Sequence, residues 1–212
     1  SLKEQHYYGA LAAMDQQVGR LRNRLKELGV SENTLLWFNS DNGPEGTAGK
    51  EIGTAGPLKG RKRSLYEGGV RVPGLIEWPG RLSVARTIHA PCTTLDILPT
   101  ILSAIGEELP PDLDGINLLP LLDGKTKTRS APIGFESKNQ SVWMEEKFKL
   151  LRFDEKEKGI RFELYDVTKD PGEKFDLSKS AQEVVVSMAS DLEAWRKSVA
   201  ADARRKDSRP NI

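Results

Sequence analysis

A short apolar run that stops abruptly at a polar turn constrains the fold of this chain more than any other feature. Residues 34–39 read Thr-Leu-Leu-Trp-Phe-Asn, with no polar residue alternating between the apolar ones. Such a run is typical of a strand that is covered on both faces, as in a parallel sheet. Residues 40–44, Ser-Asp-Asn-Gly-Pro, are a strong turn signal. The run therefore predicts a strand whose carboxyl end opens onto a polar loop.

The segments around this run predict alternating helices and strands. Upstream, six apolar residues at steps of three and four mark one stripe of a long helix that ends at Gly29: Leu11, Met14, Val18, Leu21, Leu25 and Leu28. Downstream, residues 74–78 read as a second strand, and Thr94 can cap a helix that stops at Gly106. This order is an α/β layer pattern, which we assign to a domain of residues 1–124.

The pattern changes after residue 124. Four short apolar segments separated by tight turns, at residues 132–136, 141–144, 148–153 and 162–165, are strand candidates that we expect to pair in antiparallel order. A final helix is predicted over residues 180–203, because apolar side chains recur there on one face. Residues 125–212 therefore predict a small subdomain made of an antiparallel sheet and a helix.

Charge and composition exclude some classes of function. The 212 residues carry 32 basic and 31 acidic side chains, so a net charge of +1 gives no field that would attract nucleic acid or an acidic membrane. No apolar run approaches the roughly 18 residues that a membrane span needs. The single cysteine, Cys92, permits no internal disulfide bond and indicates no redox compartment. The chain begins at Ser1 with neither an initiator Met nor a signal peptide, and we expect it to be a piece of a longer protein.

Two hard oxygen donors follow the first predicted strand. Asp41 and Asn42 occupy the turn at its carboxyl end, where open α/β sheets bind their ligands. Carboxylate and amide oxygens suit calcium or magnesium better than soft metals. The sequence Asp-Asn-Gly is also favourable for an ordinary turn, so this pattern alone leaves both interpretations open.

A basic cluster lies in the long Gly-rich loop that follows. Lys59, Arg61, Lys62 and Arg63 could hold an anionic group and stabilise charge that develops on it. They could equally form a solvated basic surface. Nucleic-acid binding is less favoured, because no aromatic residue is interleaved with the cluster.

Ordered motifs along nearly the whole chain resemble the sulfatase family. Residues 38–44 (Phe-Asn-Ser-Asp-Asn-Gly-Pro), 58–73 (Leu-Lys-Gly-Arg-Lys-Arg-Ser-Leu-Tyr-Glu-Gly-Gly-Val-Arg-Val-Pro) and 78–80 (Trp-Pro-Gly) are similar to that family's metal-binding Asp-Asn pair and second signature. Further similarities follow the family order at residues 7–19, 96–100, 114–120 and 163–173. The resemblance implies the C-terminal half of an alkaline-phosphatase-like α/β sulfatase fold.

The resemblance also implies roles for single residues. Asp41 and Asn42 would be ligands of calcium, and Lys62 would be the catalytic lysine that contacts the substrate sulfate. The family usually has glycines around this lysine, whereas this chain has Arg61 and Arg63, which crowd the loop.

Other parts of the family's catalytic machinery do not match this chain. The family nucleophile is a formylglycine made within a Cys/Ser-x-Pro/Ala-x-Arg motif, and residues 91–95 around Cys92 (Pro-Cys-Thr-Thr-Leu) do not fit it. We therefore expect Cys92 to be a small buried residue. His6 and His89 do not fall on the family's histidine motifs. The nucleophile, the acidic metal pair and the catalytic histidines are expected upstream, so that this chain alone is expected to be inactive.

The intact protein is thus expected to be a sulfatase that hydrolyses aryl or carbohydrate sulfate esters. One alternative is a phosphatase or phosphonate hydrolase of the same superfamily, which would use zinc or manganese. The other is a non-catalytic domain that binds sulfated polymer through its basic loop. The resemblance implies a periplasmic, extracellular or lysosomal location. From the near-neutral charge we expect no nucleic acid and no membrane among its partners. We also expect self-association through the apolar surface that the N-terminal half would cover.

Overall fold

Helices and short strands follow one another in the order that the sequence pattern predicts. The computed structural model describes residues 1–47 and 49–207, apart from the side chains of residues 203–207. Within these ranges the helices are α1 (Leu2–Glu27), α2 (Glu67–Val70), α3 (Ile97–Ala104), α4 (Leu119–Leu122) and α5 (Gln182–Asp207), and the strands are β1 (Leu36–Asn39), β2 (Gly74–Glu77), β3 (Ile133–Ser137), β4 (Gln140–Glu145), β5 (Phe148–Glu155) and β6 (Gly159–Asp166). No helix in these ranges has the length and apolar character needed to cross a membrane.

Helix α1 begins with a capping box and carries an apolar stripe that the described chain leaves largely uncovered. The Ser1 hydroxyl accepts a hydrogen bond from the Glu4 amide, and the Glu4 carboxylate accepts one from the Ser1 amino group. Four side chains of the predicted stripe are between 42% and 56% exposed: Leu11, Met14, Leu21 and Leu28. Ion pairs hold the helix instead, and Arg22 binds Glu77 in a bidentate pair with N–O distances of 2.6 and 2.8 Å.

Strands β1 and β2 pair in antiparallel order, which differs from the parallel neighbour suggested by the apolar run. Leu36 lies opposite Glu77, and Asn39 lies opposite Gly74. An apolar run reports how strongly a strand is covered and not the direction of its neighbour, because direction is set by the connection. All four residues of β1 are half-buried, and its second edge has no strand partner among the described residues.

The C-terminal sheet has the predicted antiparallel order β3-β4-β5-β6, and both of its faces are covered. Helix α5 packs on one face, where the buried side chains are Trp143, Leu150, Leu164, Met188 and Leu192. The opposite face receives Leu65, together with Tyr66 and Val70, from the long loop of the first half. The basic loop predicted from the sequence is therefore seated on the C-terminal sheet. The domain boundary between residues 124 and 125 stays a prediction.

A buried ion pair fixes the start of α3 to the chain that leads into β3. Thr93, and not the predicted Thr94, provides the cap, because its side chain and that of Asp96 form a capping box around a short 3-10 turn. Arg129 donates to both oxygens of Asp96, at 2.6 and 2.9 Å, and both side chains are almost completely buried. The Asp96 carboxylate also accepts from the amide of Ile116. No acceptor oxygen of Asp96 is thus left without a donor, which makes its burial tolerable.

Candidate functional site

The turn with Asp41 and Asn42 follows β1 directly and is pressed against helix α2. The amide of Ser40 donates to the carbonyl of Pro73 at 3.2 Å, and the amide of Gly43 donates to the carbonyl of Gly69 at 2.9 Å. A Cβ atom on Gly43 would overlap the carbonyl oxygen of Gly68. Only glycine fits at this position, and this close approach fixes the height of the turn above α2.

Lys62 is joined to this turn through the backbone. Its amide donates to the carbonyl of Pro44, two residues after Asn42, at 3.1 Å. The guanidinium of Arg61 donates to the carbonyls of Glu45 at 2.8 Å and of Gly53 at 2.6 Å, so it ties the loop before it to the basic loop. The structure therefore brings together the predicted metal turn and the predicted substrate lysine, which are about twenty residues apart in sequence.

The side chain of Lys62 faces Glu45, a residue that the sequence analysis did not select. The Lys62 Nζ atom lies 3.4 Å from a carboxylate oxygen of Glu45, and Arg63 binds the other oxygen. The hydrogen bond from Arg63 holds the pKa of Glu45 below its ordinary value. Lys62 is 39% exposed and Glu45 is 55% exposed, so an anion from solution can reach this pair.

Lys59 has different surroundings and is held by the C-terminal sheet. Its Nζ atom donates to the hydroxyl of Tyr165 at 3.0 Å, lies 3.5 Å from Glu163, and sits 4.0 Å from the centre of the Tyr66 ring. Both tyrosine hydroxyls donate to one oxygen of Glu163 at 2.7 Å. Burial, followed by the Glu163 carboxylate, raises the pKa of each tyrosine, so both remain donors. Lys59 and Lys62 are exposed to the same degree, 38% and 39%, but Lys59 is held by residues of the C-terminal sheet, whereas the ammonium group of Lys62 contacts only Glu45 of its own loop region among the described residues.

The crowded loop keeps the backbone shape that glycine favours. Arg63 has a φ of 76° and Gly60 a φ of 81°, both in the left-handed region. The arginine at position 63 therefore occupies a glycine-like conformation, and its carboxylate partner Glu45 is one contact that holds it there.

The two predicted metal ligands fit a hard cation but do not form a complete site. Asp41 is exposed and Asn42 is half-buried, and no hydrogen bond from another described residue uses the Asp41 carboxylate. Calcium takes six to eight oxygen ligands, and the neighbouring carboxylate of Glu45 is engaged by two cations. Within the described ranges, no three side chains of His, Cys, Asp or Glu are grouped so that they could hold a metal.

Cys92 does not behave as predicted. It is exposed, in the loop before the Thr93 capping box, whereas the sequence suggested a buried residue. The thiol donates weakly to the carbonyl of Ala90 at 3.4 Å. Desolvation, followed by the nearby Asp96 carboxylate, raises the pKa of the thiol, which disfavours a nucleophilic thiolate. His6 and His89 are also exposed and lie on α1 and in a loop.

Family comparisons agree with this arrangement. The sequence model of the sulfatase family matches residues 4–107, and that of the C-terminal region of N-sulphoglucosamine sulphohydrolase matches residues 60–198, which is more than half of the chain. This chain belongs to the sulfatase family. The predicted resemblance is thereby confirmed, and both matches include the basic loop of Lys62.

Curated relatives are considerably longer than this sulfatase chain. Human steryl-sulfatase is 40% identical over 134 residues, which cover 59% of this chain and 23% of the relative. Human arylsulfatase A is 42% identical over 120 residues, which cover 56% of this chain and 24% of the relative. The chain therefore spans about a quarter of the length of these relatives.

Solved structures confirm the α/β sulfatase fold over most of the chain. The protein Ps i-CgsB, in complex with k-i-k-neocarrahexaose, has a TM-score of 0.79 and 29% identity over 92% of this chain and 43% of its own. A protein in complex with its substrate D-glucosamine-2-N,6-O-disulfate has a TM-score of 0.69 and 26% identity over 94% and 40%. The phosphonate monoester hydrolase of Agrobacterium radiobacter is less similar, with a TM-score of 0.59 and 25% identity over 94% and 40%.

Proposed function

We propose that the intact protein hydrolyses sulfate esters, and that this chain supplies part of the site. Lys62 would contact the sulfate group as a catalytic residue, and Asp41 and Asn42 would be ligands of a calcium ion. The observation that supports this most directly is the hydrogen bond from the Lys62 amide to the Pro44 carbonyl. It connects the lysine loop (residues 59–64) to the metal turn (residues 40–44), so that a single bound sulfate could meet both.

The ammonium group of Lys62 is partly exposed, and its positive charge suits the negatively charged oxygens of a sulfate group. Its present partner is one carboxylate oxygen of Glu45 at 3.4 Å, which is a weak, solvent-exposed contact. A sulfate oxygen can replace that carboxylate, and Arg63 can retain Glu45 at the side of the site. A fixed ammonium then stabilises negative charge as it increases on the leaving and non-bridging oxygens.

The bound metal would supply a Lewis acid that draws charge from the sulfate oxygens. The hard donors Asp41 and Asn42 fit calcium, and we propose that further acidic ligands come from other parts of the protein. We propose that the nucleophile also comes from another part of the protein, because the sequence around Cys92 does not fit the formylglycine motif and the Cys92 thiol has a raised pKa.

The ligands and names of similar proteins suggest a substrate class. Two similar solved proteins bind a neocarrahexaose or a glucosamine disulfate, and curated relatives include steryl-sulfatase and arylsulfatase A. We propose a carbohydrate or aryl sulfate ester as the substrate, and a periplasmic, extracellular or lysosomal compartment. The boundary between a catalytic part (residues 1–124) and a sheet-and-helix part (residues 125–212) belongs to the same proposal.

A pair of lysine substitutions in the full-length enzyme tests this assignment. Lys62→Ala is expected to lower kcat/KM for a chromogenic aryl sulfate by about 100-fold, the scale of losing one preorganised charge-stabilising donor. Lys59→Ala is the matched control, since it removes a lysine of the same loop that faces Tyr165 and Glu163. If both variants lose activity equally, or if Lys59→Ala loses more, then Lys62 is not the substrate lysine.

A further inference from the structure

Three charged side chains are buried together beneath helix α2. Lys149, on β5, is fully buried, and its Nζ atom lies 2.8 Å from Glu67 and 3.0 Å from Glu173. Glu67 and Glu173 are 4% and 1% exposed. These three residues, here named the buried charge cluster, join three segments of the chain: α2, strand β5, and the turn after β6.

The buried charge cluster is strained as well as buried. Glu173 has a left-handed φ of 51°, which is unfavourable for a residue other than glycine. Its second oxygen accepts the amide of Glu67 at 2.7 Å. Desolvation, opposed by Lys149, raises the pKa of Glu173. Burial of two carboxylates around one ammonium is unfavourable unless the geometry is closely fixed, so the cluster constrains the position of Glu67.

The first turn of α2 transmits this constraint to the candidate site. Gly68, next to Glu67, donates from its amide to the carbonyl of Lys59 at 2.6 Å, at the base of the lysine loop. Gly69 accepts from the amide of Gly43, at the metal turn. Added Cβ atoms on Gly68 and Gly69 would overlap backbone oxygens of the lysine loop, so the contact is close and α2 cannot move independently of that loop.

We propose that the buried charge cluster positions both the metal turn and the lysine loop, so that Lys149 and Glu173 are positioning residues for the reaction. Neither contacts Asp41, Asn42 or Lys62, and both lie in the C-terminal part of the chain. This inference rests on the proposed function. Its consequence is that catalysis depends on the C-terminal sheet through a buried ammonium group, in addition to the contacts that Lys59 and Tyr66 make with the sheet.

A second buried ion pair in the chain provides the control. Arg129 and Asp96 are buried to the same degree as Lys149 and Glu67, and they share no hydrogen bond with the metal turn, the lysine loop or α2. Lys149→Met leaves Glu173 without its cation, and Glu67 keeps only the exposed guanidinium of Arg71 at 3.7 Å. Arg129→Met likewise leaves the buried Asp96 without its cation. Both variants should lower the thermal stability, but only the first should change the site.

The experiment compares these variants in the full-length enzyme at a temperature where each is folded. Lys149→Met is expected to lower kcat about tenfold and to raise the calcium concentration for half-maximal activity by a similar factor, the lower end for residues that support metal ligands. Arg129→Met should leave both quantities within about twofold of the wild type. Glu173→Gln keeps an acceptor for the Glu67 amide and should give a smaller change in the same direction, which keeps the test open if Lys149→Met does not fold.

Amide hydrogen exchange on the same proteins gives a readout that does not depend on turnover. Lys149→Met should accelerate exchange at Gly43, Lys62 and Gly68, whose amides make the connecting hydrogen bonds, more than Arg129→Met does. Equal effects of the two variants on activity and exchange would overturn the positioning role. If the wild-type enzyme shows no turnover of sulfate esters, the proposed function fails, and selective exchange at these three amides still decides for or against positioning.

Discussion

Replacing Arg63 by glycine should relieve backbone strain in this chain, although it removes an ion pair. Arg63 has a φ of 76°, and the left-handed region is unfavourable for a residue with a Cβ by about 1–2 kcal/mol. Glycine removes that strain, but its freer unfolded chain offsets about 0.4–1 kcal/mol of the gain. The ion pair with Glu45 joins side chains that are 63% and 55% exposed, and such pairs contribute about 0–1 kcal/mol.

Comparison with alanine isolates the backbone contribution. Arg63→Gly and Arg63→Ala both remove the ion pair with Glu45, but only glycine relieves the left-handed conformation. We therefore expect Arg63→Gly to be more stable than Arg63→Ala by about 0.5–1 kcal/mol, which corresponds to about 1–4 °C in Tm for a chain of this size. Thermal and urea unfolding followed by circular dichroism would measure the difference. Equal stability of the two variants would show that the loop is not strained at this position.

Three further outcomes follow from the structure. The Arg81 side chain holds the pKa of Asp123 down to about 2, so this pair stabilises the fold above the unfolded pKa near 4, and the stabilisation is lost as the pH falls through 2. Arg81→Met should therefore lower the free energy of unfolding by about 1 kcal/mol at pH 7. Urea titrations of the variant and the wild type should show a smaller difference between them at pH 3 than at pH 7. The isolated chain should bind calcium far more weakly than the full-length protein, because Asp41 and Asn42 supply few of the six to eight ligands needed; micromolar binding in isothermal titration that Asp41→Ala abolishes would contradict this. The isolated chain should also self-associate, because Leu98 and Ile101 on α3 and Ile105 just after it are between 40% and 66% exposed, and the stripe of α1 is uncovered as well; a monomer by sedimentation velocity at all concentrations would refute it.

Periodicity and turn chemistry were sufficient to predict most of the regular structure. The four strands of the C-terminal sheet and their antiparallel order were predicted because each is a short apolar segment between clear turns. Helix α1 was predicted from its stripe, but the coverage of that stripe was not, since periodicity indicates a helical face and not what lies against it. Helices α2 and α4 have only four residues each, which is too short to show a period.

The sequence predicted those parts of the candidate site that depend on residue type, and it did not predict those that depend on contacts in the folded structure. Asp41, Asn42 and Lys62 were selected by residue type and by their motifs, and their roles stay predictions. The different surroundings of Lys59 and Lys62 could not be predicted, because those of Lys59 depend on the sheet residues Tyr165 and Glu163, about a hundred positions away. The contact between Glu45 and Lys62 was missed for another reason, because an acidic residue in a polar loop carries no periodic signal.

The buried charge cluster offers a physical reason why distant motifs occur together in this chain. Glu67 lies in the motif that follows the basic loop, and Glu173 ends the Asp-Pro-Gly-Glu segment more than a hundred residues later. Each would be an unfavourable buried carboxylate alone, but both share the ammonium of Lys149. Removing Lys149 takes the buried cation from both carboxylates, and removing either carboxylate leaves Lys149 with a single one, so the three are coupled energetically although only one lies next to the candidate site. The C-terminal sheet is on this argument a structural part of the site, because the helix that supports the metal turn and the lysine loop rests on it.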